Sequence, residues 1–300
     1  VLYPSYDLIS SLLSEKGIEV DFLCSDKIRY THIVGAKHDI YFVANTQEKE
    51  IQTEVSFRTS RGHPELWDPV TGTKRALPDF KKSNGRTVIP LRFFPNESYF
   101  IVFSELAASA ESGSNFFEPI AHQIIEGPWE VSFDSVFGGP KRIQFPELID
   151  WSSHKKEGIK YYSGIASYKN TFEWEEASGE KNQYFLHLGE VNNMAKVFLN
   201  GIEIGTVWTA PWRLDVTSFL KEGENRLEIQ VSNLWANRLI GDANKMENGR
   251  IDGEWAPWLK DGSGPKNTIS FITRKYYSKE DQLLKSGLMG PVTIQSINKN

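Results

Sequence analysis

Residues 51–58, IQTEVSFR, alternate without a break: Ile51, Thr53, Val55 and Phe57 face one way, and Gln52, Glu54, Ser56 and Arg58 the other. A period of two places every second side chain on one side of an extended strand. The stretch therefore fits a sheet with one dry and one wet face, and it does not fit a helix. The same alternation returns at Trp129, Val131 and Phe133, at Tyr184, Leu186 and Leu188, and at Leu227, Ile229 and Val231. Residues 98–103, SYFIVF, are apolar on both faces, as in a strand buried between neighbours. Turn chemistry separates these runs. Asp68-Pro69-Val70-Thr71-Gly72 combines a fixed φ with a residue that accepts a positive one, and Asn200-Gly201 between apolar runs is a strong hairpin signal. The chain is predicted to be all-β.

At 300 residues it exceeds what one core usually fills, so two β domains of unequal size are expected. Residues 25–106, with short strands at regular spacing, read as a small β-sandwich. Residues 106–118, LAASAESGSNFFE, are mostly small and polar, and 107–126 is read as a linker. Residues 127–300, strands with long loops and almost no helical periodicity, read as a β jelly roll. The start differs. Leu8, Ile9, Leu12 and Leu13 share one helical face, Ser5 or Asp7 can cap it, and Gly17 ends it before Ile18 and Val20. This short α/β stub, residues 1–24, opens without Met and is read as the tail of a preceding catalytic domain.

Several function classes are disfavoured. The net charge is −5 and Lys and Arg are scattered, so nucleic-acid binding by a basic stripe is not expected. The one cysteine, Cys24, forms no internal disulfide. No apolar run is long enough for a membrane-spanning helix, and no signal peptide is visible. Six His residues without ligand spacing, and no C-x-x-C, argue against zinc. Nine Trp and eleven Tyr offer flat faces that suit sugar rings, though most are expected in cores.

Longer phrases carry a resemblance. YSGIASYKNTF (162–172), LHLGEVNNMAKVFLNGIEIGTVW (186–208) and LDVTSFLKEGENRLEIQVSN (214–233) resemble the sugar-binding, galactose-binding-like jelly roll of family 2 glycoside hydrolases. NLWANRLIGD (233–242) and SGLMGPV (286–292) resemble the C-terminal end of glycoside hydrolase family 106, the α-L-rhamnosidase group. HDIYFVANT (38–46), FRTSRGHPELWDPVTG (57–72) and GIEVDF (17–22) resemble the small sandwich before that jelly roll and the chain leading into it. The resemblance implies an accessory region of an enzyme that removes rhamnose or a related sugar from polysaccharide. Its partners would be an N-terminal catalytic domain and carbohydrate, and its location secreted or periplasmic. The family's catalytic acids lie in the portion before this one, so none is carried over. No cofactor is implied beyond a structural calcium ion, which related jelly rolls hold through backbone carbonyls and an Asp or Asn; such ligands leave no regular spacing, and no position is assigned.

The main candidate site is the loop Leu234–Asp242, which gathers Trp235, Asn237, Arg238 and Asp242 after a core strand. A Trp platform with Asn, Arg and Asp groups is what a sugar site uses. The reading favoured over a sugar site is an internal Arg238–Asp242 pair pinning the loop, or a contact with another domain. The expectation is an ordered loop, apolar members buried, polar face outward. Trp208 with Trp212, and Trp255 with Trp258, are aromatic candidates of the same kind. Glu65 with Asp68, and Glu173, Glu175 and Glu176, are read as turn and strand-edge residues. An accessory region of a hydrolase is favoured over a free-standing carbohydrate-binding module. A complete small hydrolase has no carboxylate pair or triad to support it.

Overall fold

The computed structural model describes residues 5–105, 112–176, 183–243, 260–263, 269–270, 277–278 and 280–297. The chain divides into two compact units, Val1–Phe117 and Glu118–Asn300.

In the first unit, helix α1 (Tyr6–Glu15) is capped by the Ser5 side chain, which accepts from the Leu8 amide, and Gly17 follows in the left-handed region. Its apolar face is exposed, Leu8, Ile9, Leu12 and Leu13 included. Nine strands follow: β1 (Phe22–Cys24), β2 (Ile28–Val34), β3 (His38–Asn45), β4 (Ile51–Phe57), β5 (His63–Trp67), β6 (Lys74–Ala76), β7 (Lys81–Ser83), β8 (Arg86–Phe93) and β9 (Ser98–Ser104). They form two antiparallel sheets, β1-β4-β8-β7 and β2-β3-β9-β5-β6. Ile51, Val55 and Phe57 are buried, and Val55 and Phe57 share the core with Tyr41, Val43, Ile89, Leu91, Ile101 and Phe103. β9 lies between β3 and β5, and its consecutive residues Ile101, Val102 and Phe103 are all buried, so both of its faces are covered there.

Strand β1 pairs with β4, so residues 22–24 belong to this sandwich. The end of the unit also differs from the expectation that 107–126 has little to bury. Asn115 is buried; its Oδ1 accepts from the Asp79 amide at 3.0 Å, and its Nδ2 donates to the Asp79 and Pro90 carbonyls at 2.7 and 3.1 Å. One amide side chain stitches the segment to two others, which composition does not reveal.

The second unit contains β10 (Pro119–Ile124), β11 (Trp129–Phe133), β12 (Ile143–Phe145), β13 (Ile165–Trp174), β14 (Gln183–His187), β15 (Glu190–Asn192) and β16 (Met194–Leu199). It continues with β17 (Ile202–Val207), β18 (Arg213–Asp215), β19 (Gly223–Ser232), β20 (Gly287–Gly290) and β21 (Thr293–Ile297). Helices α2 (Glu157–Lys160) and α3 (Ala236–Ala243) interrupt the strands. A four-stranded sheet, β10-β21-β14-β18, and a six-stranded sheet, β12-β11-β13-β19-β16-β17, enclose the core, and β15 pairs with β20. Strand β10 falls within the stretch read as linker, yet it pairs with β21 from Pro119 to Ile124.

Trp129, Val131, Phe133, Ala166, Tyr168, Ile229 and Val231 line the core side of the larger sheet, and Tyr184, Leu186 and Ile294 lie on the smaller one. Asn200 and Gly201, with φ of 54° and 81°, turn β16 into β17 as the sequence predicted. Asn225, fully buried, ties that turn to the next: its Nδ2 donates to the Lys221 and Gly223 carbonyls, and its Oδ1 accepts from the Lys221 amide and from Asn200 Nδ2. Thr217 Oγ1 accepts from the Tyr184 amide at 2.9 Å and donates to Asp215 Oδ1 at 2.6 Å, a local bond of the kind expected there. The fold is an all-β pair of sandwiches, the second a jelly roll.

Candidate functional site

Strand β19 ends at a polar latch. Asn233 Oδ1 accepts from the Gly164 amide at 3.0 Å, and its Nδ2 donates to the Tyr162 carbonyl at 2.8 Å and to Ser286 Oγ at 3.2 Å. The Leu234 carbonyl then accepts from Ser163 Oγ at 2.9 Å. With the chain direction fixed, residues 236–243 do not run as the expected loop but form α3. Ala, Arg and Leu favour a helix, and the Leu239 amide donates to the Trp235 carbonyl at 3.0 Å to close the first turn. Gly241 is required by packing: a Cβ there would lie 2.5 Å from Cγ of Tyr161.

The four predicted site residues separate. Asn237, Arg238 and Asp242 are 1, 5 and 6% exposed, whereas Trp235 is 46% and Leu234 53% exposed. The polar members therefore point inward and Leu234 and Trp235 outward, the reverse of the expected orientation for these residues, while Ile240 is buried as expected. The reason lies in their partners. Asn237 Nδ2 donates to the Leu284 carbonyl at 2.7 Å and to Ser286 Oγ at 3.0 Å, while its Oδ1 accepts from the Leu284 amide at 2.8 Å. Arg238 Nη2 donates to the Phe137 carbonyl at 2.9 Å, and Nη1 lies 3.9 Å from Asp242 Oδ1. Asp242 Oδ2 accepts from the Ile269 amide at 3.1 Å and from the Ser270 amide and Oγ, both at 2.7 Å.

Burial pushes the Arg238 guanidinium below its ordinary pKa, against the opposing pull of Asp242. Arg238 Nε and Asp242 Oδ1 make no hydrogen bond among the described residues. The pair is thus a buried electrostatic contact, and the cluster clamps α3 to segments around Phe137, Ser163, Ser270 and Ser286. These four partners carried no signal in the sequence, because each contributes a backbone group or a single hydroxyl.

Outside the clamp, the Trp235 ring meets Phe137 edge-on, with centroids 5.6 Å apart. Ile165 on β13 and Met194 on β16 flank Ser232 in register, and both are exposed. Together with Leu234 and Trp235 they give the end of the larger sheet an apolar border.

The other candidates fall into place. Glu65 Oε2 accepts from Trp67 Nε1 at 3.2 Å, and Asp68 caps its turn by accepting from the Val70 and Thr71 amides and from Thr71 Oγ1. Glu173 lies on the wet face of β13 opposite Glu224, and Glu175 and Glu176 are exposed. Trp208 is exposed, and Trp212 packs partly against the core. Trp255 and Trp258 lie outside the described residues. Among the described residues no three His, Cys, Asp or Glu side chains gather as a metal site, and none of the helices is long and apolar enough to cross a membrane.

Comparison with known proteins agrees with this architecture. Residues 4–82 match the family described as alpha-L-rhamnosidase, and residues 157–256 the family described as glycosyl hydrolase 2 galactose-binding domain-like. A solved rhamnosidase from Novosphingobium sp. PP1Y superposes with a TM-score of 0.78 at 33% identity, over 96% of this chain and 26% of that one. A curated protein of Formosa agariphila, named "Putative beta-glucuronidase", is 42% identical over 179 residues, which is 57% of this chain and 15% of that protein. The chain thus spans between about a seventh and a quarter of the length of these two relatives. It is related to the glycoside hydrolases, and it has the β-sandwich and galactose-binding-like folds expected from the resemblance.

Proposed function

We propose that these 300 residues are a non-catalytic accessory region of a longer glycoside hydrolase of the α-L-rhamnosidase type, contributing order and contact surface to a catalytic domain that precedes them. One observation carries this reading. Nearly the whole chain follows the Novosphingobium rhamnosidase, while about three-quarters of that protein has no counterpart here. The sugar is not assigned, since the two relatives are named for different ones. An enzyme acting on polysaccharide would work outside the cell or in the periplasm.

Three described carboxyls are held as hydrogen-bond acceptors. A glycosidase needs two, one of them held protonated by a raised pKa. The carboxyls that this fold shifts, Asp21, Glu50 and Glu228, are all held below their ordinary range. Burial pushes each one up. The opposing bonds win: Arg58 and His32 at Asp21, Arg92 and Gln52 at Glu50, and Gln230, Ser167 and Lys169 at Glu228. Such groups accept hydrogen bonds and do not serve as general acids.

Two apolar surfaces supply the contacts. The stripe Leu8, Ile9, Leu12 and Leu13 is exposed on a ten-residue helix, and helices this short are stable mainly through a packed apolar face. The Leu234–Trp235 border is the second. The test is to replace Leu12 and Trp235 by Glu in the longer polypeptide and in these residues alone. The isolated chain should lose no more than the edge contact of Trp235 with Phe137, about 1 kcal/mol, while the longer enzyme should lose turnover and far more of its melting temperature. An unchanged longer enzyme would remove the contact role, and a natural polypeptide with no preceding catalytic domain would remove the reading.

A further inference from the structure

Asn-Gly forms the two-residue turn of a hairpin at Asn84-Gly85, between β7 and β8, and again at Asn200-Gly201, between β16 and β17. Both turns lie in the left-handed region, with φ of 50° and 73° at the first and 54° and 81° at the second. The two backbones are alike. The surroundings of their asparagine side chains are not.

Asn200 is held on several sides. Its Nδ2 donates to the Phe219 carbonyl at 3.0 Å and to Asn225 Oδ1 at 2.9 Å, and its Oδ1 accepts from the Arg226 amide at 3.0 Å. The residue is half-buried, and its partner Asn225 is fully buried. Asn84 stands in the open. Lys81, Lys82, Ser83 and Gly85 around it are exposed too, and its side chain makes no hydrogen bond among the described residues. A Cβ placed at Gly85 would meet nothing within 4 Å, so the approach to this turn is clear.

An asparagine followed by glycine has an intramolecular reaction available. The glycine amide gives its proton to a solvent base, and its nitrogen attacks the asparagine Cγ. A C–N bond closes a five-membered ring as the Cγ–Nδ2 bond breaks, and Nδ2 leaves as ammonia. Water then opens the succinimide at either carbonyl, giving aspartate or isoaspartate. Nothing is oxidised or reduced, and water is the only co-reactant. The attack requires Cγ to turn toward the next backbone nitrogen, and glycine has no Cβ to obstruct the ring. At Asn200 that rotation breaks side-chain bonds to Phe219, Asn225 and Arg226; at Asn84 it breaks none. The charges of Lys81 and Lys82 also favour the anion formed in the first step.

We propose that Asn84 is a site of intramolecular deamidation in the folded chain, and that Asn200, in the same kind of turn, is protected by its bonds to Phe219, Asn225 and Arg226. The isoaspartate product adds a backbone methylene to a turn that pairs Ser83 with Arg86. Its effect falls on β7, an exposed three-residue strand at the edge of its sheet, and leaves the core in place.

The experiment is incubation of the 300-residue chain at mildly alkaline pH, native and in guanidinium chloride, followed by peptide mass mapping and isoaspartate methylation. Asn248-Gly249 lies outside the described residues, and the mapping separates its peptide from the other two. In the native chain Asn84 should convert, and Asn200 should convert at least about ten-fold more slowly, because its side-chain bonds must first be broken. In guanidinium the two should react at similar rates. Native conversion at Asn200 as fast as at Asn84 would overturn the proposal. So would an Asn84 that stays intact while the denatured chain reacts, or a difference that persists in guanidinium, which would place its cause in the neighbouring sequence and not in the fold.

Discussion

Removing the Arg238 side chain tests whether the α3 cluster is a clamp. In Arg238→Ala the Phe137 carbonyl loses its 2.9 Å charged donor, and Asp242 Oδ1 loses the cation 3.9 Å away, in a site about 5% exposed. A hydrogen bond to a charged group contributes about 1.5–3 kcal/mol, and breaking a close, buried ion pair costs about 3–5 kcal/mol. The pair here is longer than a hydrogen bond, and Asp242 keeps the Ile269 and Ser270 donors, so the sum lies below the two figures added. The expected loss is about 2–4 kcal/mol. For a unit of this size each kcal/mol lowers the melting temperature by ~2–4 °C. Calorimetric melting of the full chain, compared with Arg238→Ala, Asp242→Asn and the double variant, measures both the cost and the coupling. The coupling should be about 1 kcal/mol, because the two groups share one buried environment. An Arg238→Ala chain that melts within 1 °C of the parent, or a coupling of zero, would refute the clamp.

Two further outcomes concern the second unit. A chain beginning at residue 118 should melt cooperatively, whereas one beginning at 127 loses β10, exposes the edge of β21 and removes Ile125 from the core; equal stability of the two would show β10 to be dispensable. Stability should also fall as the pH drops below about 6.5, where the imidazoles of an unfolded chain begin to take up protons. Burial first, and then the Lys156 and Arg213 charges, hold His154 and His187 below that value in the folded state. The unfolded chain therefore binds protons first and is favoured as acid is added. Glu228 adds a second decline in this unit below pH about 4, and Asp21 and Glu50 one in the first unit, since their folded pKa values are depressed and their stabilising bonds are lost on protonation. A melting temperature that stays flat from pH 7.5 to 5 would contradict the histidine part.

The strands were legible where alternation is long. IQTEVSFR became β4 and RLEIQVS the end of β19, because a two-residue period leaves one physical solution when one face must be dry. Asn200-Gly201 was legible because the turn needs positive φ at both positions. Helix α3 was not. Its eight residues mix Asn, Arg, Gly and Asp with apolar ones, and what turns the polar groups inward is the Phe137 carbonyl, 101 positions from Arg238, and the Leu284 carbonyl, 47 from Asn237. Strand β10 was missed for a similar reason: PIAHQI has weak alternation and is ordered by pairing with β21.

On the proposed reading these residues assist a glycoside hydrolase without performing its chemistry. Its most direct test is hydrolysis of an aryl α-L-rhamnoside and, in parallel, an aryl β-glucuronide by the purified 300-residue chain beside the longer polypeptide, the substrate that the longer one turns over being the one compared. The longer enzyme should turn the substrate over and the chain alone should release no more aryl alcohol than buffer. Sustained turnover by the chain alone, abolished by changing one of its own Asp or Glu residues, would contradict it.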